Sequence, residues 1–166
     1  MKYINYINKE INNLSSNKIM IPLDSYDVIR FVFNSFIALN NNKLYISKIN
    51  KRCANAIMIL YGICVYNYNI SLRADNVRKI FKSHGDMINE YLRGQELISI
   101  DDFVVIKDII NDPDIIVLSE KRTPEGKSVL LFQKKINNNI YVVVNVSDKH
   151  HNLEIQTMYK KRTLPL

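Results

Sequence analysis

The sequence has few of the residues on which covalent cross-links and metal sites depend. Its 166 residues include two cysteines and three histidines, and no Cys/His pair has the spacing of a zinc site. If one helix carried both Cys53 and Cys64, they would lie about 16 Å apart at a rise of roughly 1.5 Å per residue, too far for a disulfide. The sequence therefore predicts reduced thiols, no bound metal and no other cofactor.

The chain also lacks a long apolar run. The longest, Ile57 to Tyr66, is interrupted by Gly62, whereas a helix needs about 20 apolar residues to cross a bilayer. We interpret this run as a buried helix. No small-residue cleavage site of a signal peptide follows Met1, so export would need another route or a larger parent chain. The apolar fraction of 47% is enough for one proper core, with room for a smaller helical extension.

Positive charge is concentrated at the two ends of the chain. The net charge is +7, of which residues 1–70 contribute +5, residues 71–120 contribute −4 and residues 121–166 contribute +6. A basic, strand-rich segment is typical of a surface for a polyanion, because each neutralised phosphate releases counterions. Ordinary solvated lysines in a chain rich in Asn, Ile and Lys would give the same balance, and both interpretations stay open.

Hydrophobic spacing predicts three helices in the first seventy residues. The first carries apolar residues from Ile4 to Leu14, and the second begins at Asp24 or Ser25, continues to about Leu39 and stops at Asn40–Asn42. A brief extended piece at 44–46 precedes the third helix, at about 47–66. We interpret residues 1–70 as an N-terminal helical region and residues 71–166 as a second domain, with the boundary near residues 67–69.

The second domain is predicted to begin with two helices. One begins near Asp75 and ends at His84-Gly85, where glycine suits the left-handed conformation of a helix end. The other is capped by Asp101 or Asp102 and stops at Pro113, with residues 93–96 as a loop between them.

Four strands are predicted to follow these helices. Apolar residues alternate with a period of two, or occur in short runs rich in β-branched residues, over residues 115–119, 128–133, 140–146 and 153–159. The predicted fold class is α+β, with two helices packed on one face of a four-stranded antiparallel sheet. The other face would be free to bind a ligand.

Three side chains of this domain have the chemistry that a phosphodiester needs. His84 lies at a helix end, and an imidazole exchanges protons near neutral pH. Strict alternation along the last strand puts Thr157 and Tyr159 on one face, together with Leu153 and Ile155. There the two hydroxyls would bond successive phosphate oxygens, with Lys134 or Lys160 balancing charge on the phosphorane. Thr and Tyr are also simply common in strands, and that interpretation stays open.

The segment from Val77 to Arg162 resembles a known family. The motifs that carry the likeness are residues 78–85, 94–98, 112–116, 126–127 and 156–160. They resemble the phage-associated branch of the Barnase–EndoU–colicin–RelE (BECR) superfamily of metal-independent ribonucleases, whose modules occur in phage head-morphogenesis polyproteins and in bacterial toxins. The likeness covers a little over half of the chain, and residues 1–70 have no counterpart in it.

This resemblance implies an endoribonuclease in which the ribose 2′-hydroxyl attacks its own phosphate and leaves a cyclic phosphate. His84 would be the general base or acid, Thr157 and Tyr159 would bind the scissile phosphate or help to move its proton, and Lys134 would stabilise charge. The expected substrate contacts are Arg78, Lys82, Gln95, Ser147 and Lys160. His150 would be a second proton-transfer residue only if its loop folded back over the sheet; otherwise it is an exposed turn histidine.

The resemblance also implies a biological setting. A toxin of this kind would cleave RNA, for example tRNA, in the cytoplasm after delivery from a phage particle or as part of a secreted toxin. An acidic immunity protein or antitoxin would be its partner. Residues 1–70 would brace, mask or deliver the nuclease module, or bind tRNA. The alternative is a catalytically inactive nucleic-acid-binding or capsid-associated module of the same fold.

Overall fold

The structure of the chain is a computed structural model that describes residues 24–162. The helix predicted from Ile4 to Leu14 lies outside the described residues. Five α-helices and seven strands follow one another within residues 24–162, in the order α1 (Ser25–Ile37), β1 (Lys43–Lys48), α2 (Lys51–Tyr61), β2 (Asn69–Arg73), α3 (Ala74–His84), α4 (Met87–Leu92), β3 (Gln95–Glu96), α5 (Ile106–Asn111), β4 (Ile115–Leu118), β5 (Val129–Ile136), β6 (Asn138–Ser147) and β7 (Asn152–Lys161). Short 3-10 turns occupy Ile100–Phe103 and Asp148–His150.

The strands form one mixed sheet. Its order is β1-β2-β7-β6-β5-β4, and β3 pairs with the end of β7. The α+β class and the antiparallel meander β4–β7 are as predicted, but four strands was wrong, because β1, β2 and β3 add to the meander. β2 pairs with β7 in parallel, so the sheet is not purely antiparallel. The domain boundary predicted near residue 70 falls at β2, so strands from both sides of it share the sheet.

The core lies on one face of this sheet. Phe132, Val142, Val144 and Leu153 are fully buried there. Helix α3 packs on β7 and α5 packs on β5 and β6, while α1 packs on α3. On the opposite face, which we call the solvent face, alternate residues such as Tyr141 and Tyr159 are only partly buried.

A β-bulge in β7 sets which residues reach the solvent face. Thr157 pairs with Val143 and Ile155 with Val144, which leaves Gln156 as an extra residue in the ladder. The extra residue reverses the alternation of side chains. Leu153, Ile155 and Met158 are therefore buried in the core. Thr157 and Tyr159 do share a face, as expected, but the prediction that Leu153 and Ile155 lie on it with them was wrong.

Helix α3 begins and ends close to the predicted residues, but the glycine that follows it does not have the predicted conformation. Gly85 has φ −99° rather than a left-handed conformation. A Cβ at this position would overlap the carbonyl oxygen of Phe81. Glycine thus permits the backbone of residue 85 to lie close to the Phe81 carbonyl at the end of the helix, where the Gly85 N–H donates to Phe81 O at 2.7 Å.

Other boundaries differ from the prediction for local reasons. Helix α2 ends at Tyr61, because Gly62 adopts φ +67° and terminates it, so Cys64 lies beyond the helix. Both cysteines are free. The helix predicted at Asp101 or Asp102 is a 3-10 turn capped by Ser99, followed by the short α5. The predicted loop 93–96 contains β3. Over residues 24–162, no helix is both long and apolar enough to cross a membrane.

Candidate functional site

The position of His84 follows from the way in which β2 continues into α3. β2 pairs with the first half of β7 and then runs directly into α3, which packs on β7. The Asn76 side chain donates a 2.7 Å hydrogen bond to the carbonyl of Ile155, next to the bulge. At the other end of α3, the His84 ring lies with its centroid 5.9 Å from that of Tyr159. Helix α3 therefore delivers the imidazole to the solvent-face side of β7.

A buried carboxylate holds the imidazole. His84 Nδ1 lies 3.0 Å from Glu90 Oε2, and the Glu90 side chain is only 1% exposed. A carboxylate accepts hydrogen bonds and donates none, so Nδ1 carries the proton in this pair. The other ring nitrogen, Nε2, is then free of a proton in the neutral imidazole. This tautomer is the one in which Nε2 takes a proton from a substrate.

Arg93 balances the same carboxylate from its other side. One terminal nitrogen of Arg93 donates to Glu90 Oε1 at 3.0 Å and to the Ser83 carbonyl at 3.1 Å. A buried carboxylate without such partners would be strongly unfavourable. The series Arg93–Glu90–His84 thus fixes the orientation of the imidazole at the end of α3.

Two tyrosines extend the site across the sheet. Tyr141 and Tyr159 stand opposite each other in the β6–β7 ladder, and their rings stack at 4.9 Å with planes 6° apart. Burial, with a smaller contribution from Tyr141, raises the pKa of Tyr159 above its ordinary value. The Tyr159 phenol is therefore protonated near neutral pH and suited to donate a hydrogen bond. Thr157 adds a second hydroxyl two residues away on the same face.

One cation at the end of β7, Lys161, lies near these rings, and Arg162 follows it beside a third tyrosine. Lys161 Nζ is 5.3 Å from the Tyr141 centroid and 5.9 Å from that of Tyr159. The Arg162 guanidinium lies 4.4 Å from the Tyr91 ring centroid. Neither cation forms an ion pair with a carboxylate of the described residues. The site thus contains positive charge that no described carboxylate neutralises.

Lys134 and Lys160, which sequence patterns placed with the hydroxyls, lie on the opposite face. Lys134 pairs with Ile140 in the β5–β6 ladder, and Lys160 pairs with the same residue in the β6–β7 ladder. Because Ile140 is buried, both lysines lie on the core side of the sheet. Lys160 Nζ pairs with Asp102 at 2.8 Å. Lys134 Nζ pairs with Asp112 at 2.8 Å, and this hydrogen bond lowers the pKa of the Asp112 carboxyl. The structure does not bring these two ammonium groups to Thr157 and Tyr159.

The predicted substrate contacts are scattered. Arg78 donates to the carbonyl of Ser35 at 2.8 Å and so ties α3 to α1, and Lys82 is exposed on the last turn of α3. Gln95 stands opposite Lys161 in the β3–β7 pair, and its buried Oε1 has no hydrogen-bond partner in the described part of the chain. Of the predicted contacts, Gln95 is therefore next to the candidate site.

Ser147 and His150 lie at the other end of the β6–β7 ladder. Ser147 pairs with Asn152, seven residues along β7 from Tyr159 and roughly 20 Å away at about 3.3 Å per residue. His150 is exposed in the 3-10 turn that follows Ser147. The loop thus keeps His150 at the far end rather than folding it over the site as a second proton-transfer group.

The carboxylate and the second tyrosine of the site were not predicted from the sequence. Glu90 lies six residues after His84 and three before Arg93, and Asp86 caps the short helix α4 that carries it. An N-cap residue followed by an i,i+3 acid–base pair is a signal that could have identified this helix. Tyr141 could have been found from its register opposite Tyr159, but only once the β6–β7 hairpin was aligned.

No group of three or more His, Cys, Asp and Glu side chains in residues 24–162 is arranged to hold a metal ion. The arrangement is instead that of an acid–base site. A histidine oriented by a carboxylate lies beside phenol and hydroxyl donors and unpaired cations. These groups can move a proton and bind an anion.

The fold and the site define an α+β protein that carries an oriented histidine beside a basic, tyrosine-bearing sheet end. A family model described as phage-Barnase-EndoU-ColicinE5/D-RelE like nuclease3 matches residues 46–163, more than half of the chain, and the chain belongs to this family. The resemblance inferred from the sequence is thereby confirmed. The match begins within β1, so α2 and β2 also lie inside it, and the expectation that residues 1–70 have no counterpart in the family was wrong for residues 46–70. Neither a curated protein nor a solved structure gives a significant match.

Proposed function

We propose that the protein is a metal-independent endoribonuclease that cleaves RNA by attack of a ribose 2′-hydroxyl on the adjacent phosphate. The observation that carries this proposal is the His84 imidazole, held at 3.0 Å by buried Glu90 and placed 5.9 Å from the Tyr159 ring. Membership of a nuclease-like family supports the same class of reaction. The RNA substrate and the roles of individual residues are our proposal.

In the proposed reaction, His84 acts as the general base. Nε2 takes the proton of the 2′-hydroxyl, O2′ forms a bond to phosphorus, and the bond from phosphorus to the 5′ oxygen breaks. The leaving 5′ oxygen takes a proton from solvent, and the imidazolium later returns its proton to solvent. The products are a 2′,3′-cyclic phosphate and a 5′-hydroxyl, and no water is consumed.

The other groups of the site would bind the phosphate. Protonated Tyr159 and the hydroxyl of Thr157 would donate hydrogen bonds to its non-bridging oxygens. Lys161 and Arg162 would stabilise the charge that develops there, since Lys134 and Lys160 are paired with aspartates on the core face. In this scheme, the positive charge for the reaction comes from Lys161 and Arg162 rather than from Lys134 or Lys160, which the sequence predicted for this role.

A direct test uses purified protein and an RNA that contains a single-stranded region. We expect cleavage products with cyclic phosphate ends, unchanged in rate by excess chelator, and no cleavage of the same sequence made with 2′-deoxyribose. His84→Ala should lower the rate by about 100-fold or more. His150→Ala, at the other end of the ladder, is the matched control and should retain the rate. Dependence on added magnesium, or equal activity of the His84→Ala protein, would contradict the proposal.

The cellular role that we propose is that of a toxin that acts on RNA such as tRNA and is neutralised by an acidic immunity protein or antitoxin. Expression of the chain in a cell should stop growth and fragment RNA, whereas the His84→Ala chain should do neither. If both chains are folded, equally harmless and leave RNA intact, the protein is a binding module of the same fold instead. A harmful chain that leaves tRNA intact would contradict that target.

A further inference from the structure

Three rings form a continuous row across the solvent-face end of the sheet. Tyr141 stacks on Tyr159 at 4.9 Å, and Tyr159 lies 5.9 Å from His84 at a 32° tilt. The row therefore runs from β6 across β7 to the end of α3. His84 occupies one end of it, and Tyr141 occupies the other.

Stability of the hairpin does not by itself account for this row. Stacked cross-strand aromatics do stabilise antiparallel strands. The register of β6 and β7 is already set, however, by buried pairs on the core side, such as Val142 with Met158 and Val144 with Ile155. A tyrosine pair on the solvent face leaves aromatic surface partly exposed beside the candidate site.

Charge and hydrogen-bonding groups surround the rings. Exposed Lys161 lies above both tyrosines, at 5.3 and 5.9 Å from their centroids. Gln133 stands opposite Tyr141, and Asn139 and Gln95 stand opposite Lys161. Aromatic faces, a cation and amide side chains are together the features that bind unpaired nucleotides, because a base stacks on the ring while its phosphate meets the cation.

We infer that Tyr141 and Lys161 form a subsite for one unpaired nucleotide next to the scissile phosphate. The base stacks on the tyrosine pair, and Lys161 contacts a phosphate of that nucleotide. The inference rests on the proposed function and narrows the substrate class to RNA that is single-stranded at this position. Because every base has an aromatic face, the subsite tolerates different bases.

The test measures binding without cleavage. The probe is a short single-stranded oligonucleotide with 2′-O-methyl ribose throughout, which cannot undergo the proposed reaction, and its Kd is measured by fluorescence anisotropy. Tyr141→Leu should weaken binding by about 5- to 100-fold, the range expected for the loss of one stacked base. Tyr141→Phe keeps the ring and should bind as the original protein does.

Two further comparisons identify the stacked base and the phosphate contact. Abasic positions are placed one at a time in the probe, and one of them should weaken binding to the original protein but add nothing in Tyr141→Leu. Lys161→Gln should lower the slope of log Kd against log salt by about one. Lys121→Gln, an exposed lysine in the β4–β5 connection, is the matched control and should leave the slope closer to the original value.

Several outcomes would overturn the inference. They are an absence of probe binding, equal binding by Tyr141→Leu and the original protein, an equal effect of every abasic position in both proteins, or equal affinity for a fully paired duplex. If Tyr141→Leu does not fold, the abasic series on the original protein and the salt slope of Lys161→Gln decide the question: an equal effect of every abasic position, or an unchanged slope, overturns the inference. Since no cleavage is measured, a negative result here is distinct from a failure of the ribonuclease proposal, which only the activity assay with 2′-hydroxyl RNA decides.

Discussion

Lys160 and Lys161 are neighbours in β7, yet their side chains lie on opposite faces of the sheet. Lys160 Nζ is 2.8 Å from Asp102, and both side chains are largely buried, at 15% and 13% exposure. Lys161 is exposed above the Tyr141 and Tyr159 rings. Strand alternation therefore gives one lysine a structural partner and leaves the other to face a ligand.

Substitution of Lys160 should lower stability, whereas substitution of Lys161 should weaken RNA binding. Lys160→Met removes one half of a mostly buried ion pair and should lower the free energy of unfolding by about 2 kcal/mol. Lys161→Met should leave that free energy nearly unchanged and should weaken binding of RNA. Chemical denaturation and RNA affinity, measured on both variants, test the pair. A Lys160→Met protein that is fully stable but binds RNA poorly would reverse this assignment.

Glu90 should act on the reaction through the imidazole that it holds. Glu90→Leu removes the acceptor of the Nδ1 proton, so His84 loses its fixed tautomer and orientation. We expect kcat to fall at least about tenfold with little change in KM, because the lost interaction orients a reacting group rather than binding the substrate. In ¹⁵N spectra of the imidazole, the original protein should show the Nδ1–H tautomer, and the variant should show a mixture.

The control for Glu90 is Asp101→Asn, which removes an exposed carboxylate in the Ile100–Phe103 turn. It should leave both kcat and the spectrum unchanged. Thermal unfolding of each variant separates a loss of fold from a loss of orientation. A folded Glu90→Leu protein with the original kcat would show that Glu90 has no role in positioning the histidine.

Tyr159 should contribute a hydroxyl that remains protonated throughout the neutral range. Its pKa is raised by burial and by Tyr141, so the proton is lost only above the usual value of about 10. Tyr159→Phe keeps the stacked ring but removes the donor, and should lower kcat by roughly 10- to 1000-fold. If instead the phenolate acted as a base, the original enzyme would gain activity as the pH rises toward 10, and a rate profile distinguishes the two cases.

The parts of the fold that the sequence could predict are those that depend on local patterns. Helix α3 and strands β4–β7 show clear periodicity, Asp24 marks the start of α1, and Gly85 marks the end of α3. The family resemblance likewise depended on short motifs in residues 77–162. These features need no knowledge of distant partners, which explains why they were accessible.

The missed features depend on contacts between distant parts of the chain. β2 is a strand because it pairs with β7, some eighty residues later. The bulge at Gln156 exists only in the ladder with β6, and it decides which face carries Thr157 and Tyr159. Glu90 is the exception, because its partners His84 and Arg93 lie only six and three residues away and its local signal was overlooked. Alternation alone therefore placed the hydroxyls with the wrong neighbours and Lys134 with the wrong face.

Cys53 and Cys64 should differ sharply in reactivity. Cys53 is buried and donates to the Ile110 carbonyl at 3.0 Å, and burial raises its pKa to about 11. Cys64 is exposed. Since the thiolate is the reactive form, the native protein should consume one equivalent of a thiol reagent near pH 8, and a second only on unfolding. Rapid modification of Cys53 in the folded Cys64→Ser protein, or of both thiols in the folded original protein, would contradict this assignment.

Tyr68 should make the protein lose stability at alkaline pH. Its phenol donates to Asp148 at 2.9 Å, and burial, with this hydrogen bond, raises its pKa to about 12. The unfolded chain releases this proton near pH 10, while the folded chain retains it until about pH 12. The stabilisation from Tyr68 is therefore complete below about pH 10 and is lost progressively up to about pH 12.

Tyr68→Phe removes both the hydrogen bond and this titration. The variant should be less stable by about 1 kcal/mol at neutral pH, because a hydrogen bond is lost. Its free energy of unfolding should then fall less steeply than that of the original protein as the pH rises above about 10. Urea unfolding across this range measures both slopes, with Tyr66→Phe, an exposed tyrosine, as the matched control. Parallel slopes for Tyr68→Phe and the original protein would show that the phenol does not couple folding to alkaline pH.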